Sequence, residues 1–419
     1  MSDPVTVAEA ALLARDQVEA PWQQALVLIM APGMSRAALL SRITERIGYA
    51  PRFRRVVDPW PVPTWVDDPQ FNLAGHVEQV ALAPGQRLQD WLATALSVPL
   101  PHSHPLWALS LVDGLAGGSQ AVVVRIHPAL VDGYDHIHLF QELLDEVSED
   151  ITEDHTDDWE PTVAARPEFG ALLAGLGDPV AAAGRVAAGV VGLVAGGVRT
   201  LTVEPRRHYV EAAEVSLDAV AAVRDAYGVT THDVLVCLAT AGLRAWREQQ
   251  GAPLTDEVAL IPLAVTEPEV LASAIGCRVA PSFDRLPVSV DNAADRLVAI
   301  STLSRARRDS GVSVPARDLI ELAGFAPATI HAVAAGTVGS GRPHTVLVAN
   351  VPGPEQPRYL GRSRISQVHA VTSTSDAEEL TVSITSYHGR VSFSAAAVAP
   401  LDQWVGAITA ELDQLRELS

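Results

Sequence analysis

The chain has 419 residues, 48% hydrophobic and 19% charged, with a formal net charge of −20. That composition belongs to a globular protein of two or three domains and excludes a mostly disordered chain. Every basic side chain is an arginine, and the acid excess argues against nucleic acid as a partner, because phosphate binding needs clustered positive charge.

Residues 1–15 carry Asp3 and Glu9 and lack a basic stretch followed by an apolar core. No secretory signal is expected, and the protein is expected in the cytoplasm. Apolar spacing predicts a helix over 5–18, a buried strand over 24–30, and a helix over 36–47 with Ser35 as N-cap. Residues 63–77, dense in Pro, Asp and Asn, read as turns anchored to a core by Trp65 and Phe71. A helix follows over 88–96, then strands over 108–113 and 121–126 joined through Gly114 to Gly118 as a hairpin. The second strand runs into His127-Pro128-Ala129-Leu130-Val131-Asp132-Gly133, ahead of a helical pattern over 134–147. A strand that delivers a histidine and an aspartate to a tight turn is a common way to build a site at a sheet edge.

Residues 145–160 are strongly acidic and read as a solvated connection. They open a linker over 151–205, whose small-residue stretch 178–201 is interrupted by Arg185 and Arg199. This stretch predicts a packed helix with at most a peripheral membrane contact. Helices are then expected over 215–227, 232–249, 297–308 and 316–335, and strands over 258–265, 345–349, 364–371, 380–387 and 391–398. His388-Gly389 supplies a two-residue turn before the last strand, and a helix over 401–418 closes the chain. Cys237 and Cys277 have no metal-ligand spacing and read as small buried residues in a reducing compartment. The expected division is 1–150, the linker 151–205, and 206–419.

Six segments, in order, resemble the bacterial wax ester synthase/diacylglycerol acyltransferase family, within the wider superfamily of condensation domains and chloramphenicol-acetyltransferase-like enzymes. They are Pro51-Arg52-Phe53-Arg54-Arg55, the stretch from Trp65 to Val77, Pro105-Leu106-Trp107, Thr231-His232-Asp233-Val234-Leu235, Ala349-Asn350-Val351-Pro352-Gly353-Pro354 and Ser386-Tyr387-His388-Gly389-Arg390. In the fourth, His232 stands where the family usually has Asn. The resemblance implies an α/β fold of two chloramphenicol-acetyltransferase-like domains, each a mixed β-sheet flanked by helices. They would meet along an interdomain channel that admits acyl donor and acceptor from opposite sides. It also implies that 127–133 corresponds to HHxxxDG, whose second histidine is the general base and whose aspartate holds the loop against an arginine.

Here the second histidine is Pro128, which has neither a titratable group nor a backbone N–H. On an extended segment neighbours point to opposite sides, so His127 is expected to face away from the channel. Asp135 and His136 open the next helix, Asp135 as a dipole partner or either as a replacement acid or base. The candidate catalytic residues are therefore His127, Asp132, Asp135 and His136. The candidate substrate-binding residues are Pro128, Gly133, Tyr134, His232 and Asn350. His102 and His104 read either as unpartnered loop histidines or as lining the channel mouth, and His344 and His369 as strand-edge residues near Asn350. No metal site and no bound cofactor are expected; acyl-CoA or an acyl-carrier protein would be co-substrate. An acidic carrier protein would need an arginine cluster such as Arg52, Arg54 and Arg55 for docking. Three functions compete: acyl transfer from a thioester to a hydroxyl or amine without the usual base, a repurposed cyclising or isomerising enzyme of specialised metabolism, and non-catalytic binding of an acyl chain or carrier.

Overall fold

The computed structural model describes residues 3–5, 7–16, 21–59, 63–130, 143–151, 157–162, 207–265, 278–309, 344–351, 353–374 and 379–418. The first half runs β1 (Asp3–Pro4), α1 (Val7–Arg15), β2 (Gln24–Met30), α2 (Arg36–Arg46), β3 (Arg55–Asp58), β4 (Thr64–Asp67), α3 (Leu73–His76), β5 (Val77–Ala81), α4 (Leu88–Leu96), β6 (Trp107–Asp113) and β7 (Gln120–Ile126). The second half runs β8 (Tyr209–Ser216), α5 (Leu217–Tyr227), α6 (Thr231–Gln249), β9 (Glu257–Val265), β10 (Arg278–Leu286), α7 (Ala293–Asp309), β11 (Val346–Val351), β12 (Tyr359–Leu360), β13 (Ser363–Thr372), β14 (Leu380–Tyr387), β15 (Arg390–Ala397) and α8 (Trp404–Glu417).

Among the described residues two six-stranded mixed sheets carry the fold, ordered β12-β13-β2-β7-β6-β5 and β10-β9-β11-β14-β15-β8, beside a small β1-β4-β3 ribbon. The first sheet is covered on both faces, which is why β7 reads as a continuous apolar run rather than an alternation. Val122, Val124 and Ile126 enter one core with Phe53, Trp65 and Trp107. Ala121 and Val123 face a second core with Leu92 and Leu96 of α4 and with Val210 and Ala396 of the other sheet.

The strand membership crosses the expected division of the chain. β12 and β13 come from the second half but belong to the first sheet, where β13 pairs antiparallel with β2 from Gln367↔Ile29 to Thr372↔Gln24. Tyr387 at the end of β14 donates its hydroxyl to Ile365 O and accepts the Arg358 N–H, so the second sheet is tied to the start of β13.

Most expected elements recur: the bounds of β2, α4 and β14 coincide, and Ser35 Oγ accepts the Ala38 N–H as the α2 N-cap. His388 (φ 45°) and Gly389 (φ 80°) form the two-residue turn between β14 and β15, whose tight register needs positive φ at both positions. Some expectations do not hold. The helix expected over 215–227 starts only at Leu217, because 209–216 forms the edge strand β8 on β15. Asp145 is not part of a helix or a solvated connection: its backbone exchanges hydrogen bonds with Tyr359 and its carboxylate meets Arg42 at 2.5 Å. The helix expected over 316–335, the stretch 178–201 and Cys277 lie outside the described residues, while Cys237 is buried.

The core behind the second sheet is a separate one built on α6, whose capping box joins Thr230 and Asp233. α6 packs on α8 so closely that a Cβ at Gly242 would lie 2.5 Å from Nε1 of the fully buried Trp404. Gly242→Ala is therefore expected to destabilise the protein by about 1–3 kcal/mol, since overpacking a filled core outweighs the gain in helix propensity. Urea unfolding checks this; an unchanged or raised midpoint would contradict the packing.

Candidate active site

The site is built at one end of the first sheet. Ile126 closes β7 opposite Gln24 on one side and Trp107 on the other, so the ends of three strands lie level. The His127 N–H then bonds Leu106 O, and the chain leaves the sheet in a 3₁₀ turn over Pro128–Leu130 against which α1 packs. Proline suits this position, since its fixed φ fits the turn and its missing N–H leaves no buried donor unsatisfied. The turn also removes the basis for expecting His127 and Pro128 to point to opposite sides, because that alternation holds only while the backbone is extended.

His127 is fully buried. Its Nδ1 accepts the Ala129 N–H at 3.1 Å, which places the ring proton on Nε2. Among the described residues Nε2 makes no hydrogen bond, although Asp16 Oδ2 lies 3.8 Å away. Burial pushes the imidazole pKa down to about 4, against a smaller opposing pull from Asp16. His127 is thus a neutral ring whose lone pair is already used by its own turn, unsuited to accepting a proton from a substrate.

The Asp16 carboxylate is nearly sealed, with 6% of its side chain exposed. Oδ1 accepts the Trp22 N–H at 2.9 Å, and Oδ2 meets His102 Nε2 at 3.0 Å. The His102 ring stands edge-on to His127 with centroids 6.0 Å apart. Arg125, half-buried on β7, donates to Ala95 O and Val98 O, so a cation holds the C-terminal carbonyls of α4 and the start of the loop that carries His102.

On the other side of this loop, His104 lies 3.7 Å from the buried Asp68. His76 donates Nδ1–H to Trp107 O at 2.8 Å and stacks between Trp107 and Phe71. Its pKa is lowered, chiefly by burial. His102 and His104 therefore each have a carboxylate beside them and are not the unpartnered loop residues of the plainer reading.

His232 and Asn350 come together, Asn350 Nδ2 lying 3.4 Å from His232 Nδ1. The helix cap beside them belongs to Thr230 and Asp233. His344 and His369 do not join this pair. His344 precedes the opposite end of β11 and bonds Glu379 at 3.1 Å; His369 is buried within β13. Asp132, Gly133, Tyr134, Asp135 and His136 lie outside the described residues.

The arginine cluster expected to dock a carrier is already neutralised. Arg52 is buried against Glu9 and Asp3, Arg54 against Asp157 with Trp159 over its guanidinium, and Arg55 pairs with Asp3 and Asp67. Among the described residues no group of three His, Cys, Asp or Glu side chains is arranged to hold a metal ion, and no helix is long and apolar enough to cross a membrane.

The wax ester synthase/diacylglycerol acyltransferase catalytic-domain family model matches residues 3–208, and the C-terminal-domain model of the same family matches 275–415. The chain belongs to this family. A probable diacylglycerol O-acyltransferase of Mycobacterium tuberculosis is 28% identical over 389 residues, covering 87% of this chain and 83% of that one. The wax ester synthase/diacylglycerol acyltransferase from Marinobacter aquaeolei VT8 superposes with a TM-score of 0.68 at 19% identity, over 99% of both chains. The starter condensation domain of rhizomide synthetase, in complex with C8-CoA and Leu-SNAC, superposes with a TM-score of 0.54 at 14% identity, over 100% of this chain and 94% of that one. The fold is thus the two-domain fold shared by wax ester synthase/diacylglycerol acyltransferases and condensation domains.

Sequence reading missed Asp16, which sits in an apolar helical stretch 86 residues from His102, and His76, which lies in the turn-rich segment. The family segment from Trp65 to Val77 contains His76, while no segment that carries the resemblance reaches Asp16.

The buried His127 has a measurable signature. An imidazole that titrates near 6.5 when unfolded and at about 4 when folded binds more protons in the unfolded state between those values. Stability from this group is therefore complete above about pH 6.5 and is lost as pH falls toward 4, by on the order of 3 kcal/mol. Urea unfolding of wild type and His127→Gln at pH 7 and pH 5 should show a shallower pH dependence in the variant. Equal dependence would contradict a buried neutral ring.

Proposed function

We propose that this protein transfers an acyl group from a thioester, of coenzyme A or of a carrier protein, to a hydroxyl or amine acceptor without an imidazole at position 128. Membership of the family supports acyl transfer, and the C8-CoA complex of the rhizomide synthetase condensation domain supports acyl-CoA as donor class. The observation that carries the second part is local: residue 128 is a buried proline, and the adjacent His127 is a neutral ring with its lone pair engaged. His127 and Asp132 act in this reading as scaffold of the loop. In the same reading Pro128, Gly133 and Tyr134 bind substrate, with Asp135 and His136 next to them in sequence, and the hydrogen-bonded pair His232 and Asn350 offers polar groups to the thioester carbonyl or the acceptor.

Positioning alone can carry much of such a reaction, since a well-held pair of reactants gains as much as a general base supplies. A neutral amine attacks a thioester without prior deprotonation, whereas an alcohol must lose its proton as the C–O bond forms. The test is mass-spectrometric product analysis with acyl-CoAs of graded length against a long-chain alcohol, a diacylglycerol and a primary amine. Thioester-dependent product is expected, and Pro128→His should raise alcohol acylation roughly tenfold or more while changing amine acylation far less. No product from any donor and acceptor pair would overturn the reading, and turnover of a single substrate without a thioester would replace it with a repurposed enzyme.

A further inference from the structure

We propose that His102, held by Asp16, is the proton acceptor for hydroxyl substrates, standing in for the imidazole that position 128 lacks. The proposal rests on the acyl-transfer reading above. Asp16 and His102 have the construction of an aspartate–histidine dyad. The carboxylate is sealed from solvent and oriented by the Trp22 N–H on one oxygen, while the other takes His102 Nε2–H at 3.0 Å. With Nε2–H committed to a carboxylate, the neutral ring carries its lone pair on Nδ1. That side chain is 44% exposed, in contrast to the fully buried His127. One ring of the cluster can therefore meet a substrate and the other cannot.

The ring also lies beside the start of the motif. The His102 ring contacts His127, the residue that immediately precedes Pro128, through an edge-on arrangement at 6.0 Å. Its loop is stiffened by Pro99, Pro101 and Pro105, with the His104 N–H closing a turn on Pro101 O at 3.1 Å. A base on a rigid loop keeps its geometry without an entropic cost at each turnover. His76, the other neutral histidine at this sheet end, is less well placed: β6 separates β5, which follows it, from β7, and its ring is closed between Phe71 and Trp107.

In the step proposed, the acceptor oxygen bonds the thioester carbonyl carbon as its proton passes to His102 Nδ1. The C–S bond then breaks, and the same proton leaves His102 for the departing thiolate. The ester and a free thiol are the products, with no other reactant. Asp16 touches no reacting atom; it is a positioning residue that holds the ring through Nε2.

The experiment compares wild type, His102→Gln, His102→Ala and Asp16→Asn with one acyl-CoA and two acceptors, an alcohol and a primary amine of matched chain length. His102→Gln should lower alcohol acylation on the order of 10²-fold, within the range general-base catalysis supplies, and leave amine acylation far less affected. Added imidazole should restore alcohol acylation by His102→Ala, and Asp16→Asn should lower the alcohol-to-amine ratio in the same direction. A structural role would lower both reactions together and resist imidazole rescue, which would overturn the proposal, as would His102 variants with wild-type alcohol rates. If wild type itself consumes no thioester with either acceptor, the acyl-transfer reading fails and this proposal falls with it. If wild type turns over and the ratio does not move, only the role of His102 falls. His102 is a half-exposed loop residue, so its variants are expected to fold; thermal unfolding beside wild type verifies this.

Discussion

The ladder between β13 and β2 is the constraint on which the rest depends. It lays a strand from the second half of the chain along the first sheet, so the two halves cannot separate without breaking a row of backbone hydrogen bonds. Its last residues reach the site. Just past Thr372, Ser373 Oγ accepts the Gln23 N–H and donates to Pro21 O, and the Ser373 N–H bonds Gln23 O. That pins the backbone on both sides of Trp22, whose N–H orients Asp16. Asp16 in turn holds His102 and faces His127. The position of two histidines beside Pro128 is thus set by a strand some 240 residues further along the chain.

The electrostatics follow a second pattern. A chain with a net charge of −20 and no lysine places many of its arginines inside, where the planar guanidinium makes bidentate and stacked contacts that lysine cannot. Arg247 grips Glu257 through two nitrogens, Arg296 of α7 meets Glu411 of α8, and Arg54 lies under Trp159 while paired with Asp157. Removing one partner of such a buried pair would leave an uncompensated charge. These arginines are structural, and the acidic stretch that reads as a solvated linker supplies Asp145 and Asp157 to them.

Much of the fold was legible because local pattern and final structure agree. The run Gln24–Met30 is apolar because it is buried on both faces, and His388-Gly389 can adopt the positive φ values a tight hairpin requires. What was not legible depends on distance in sequence. Nothing within 209–216 distinguishes an edge strand from the start of a helix, since Glu211 and Glu214 break the apolar alternation; β15 decides the matter by pairing. The same holds at the site. The resemblance placed Pro128 at the position of the base, and elementary chemistry showed that it cannot serve. The expectation that His127 faces the opposite way assumed an extended backbone that ends at Ile126. The carboxylate beside it came from the end of α1, which no spacing rule connects to His102.

The central claim is that His127 is a neutral scaffold ring, so that any proton transfer beside Pro128 uses another group. Two-dimensional ¹H–¹⁵N correlation spectra of the histidine side chains, assigned with His127→Gln and recorded between pH 5 and 8, test it most directly. The account predicts a His127 signal in the neutral Nε2–H form throughout, with Nδ1 reporting an accepted hydrogen bond. A His127 ring that gains a second proton near neutral pH, or carries its proton on Nδ1, would contradict it.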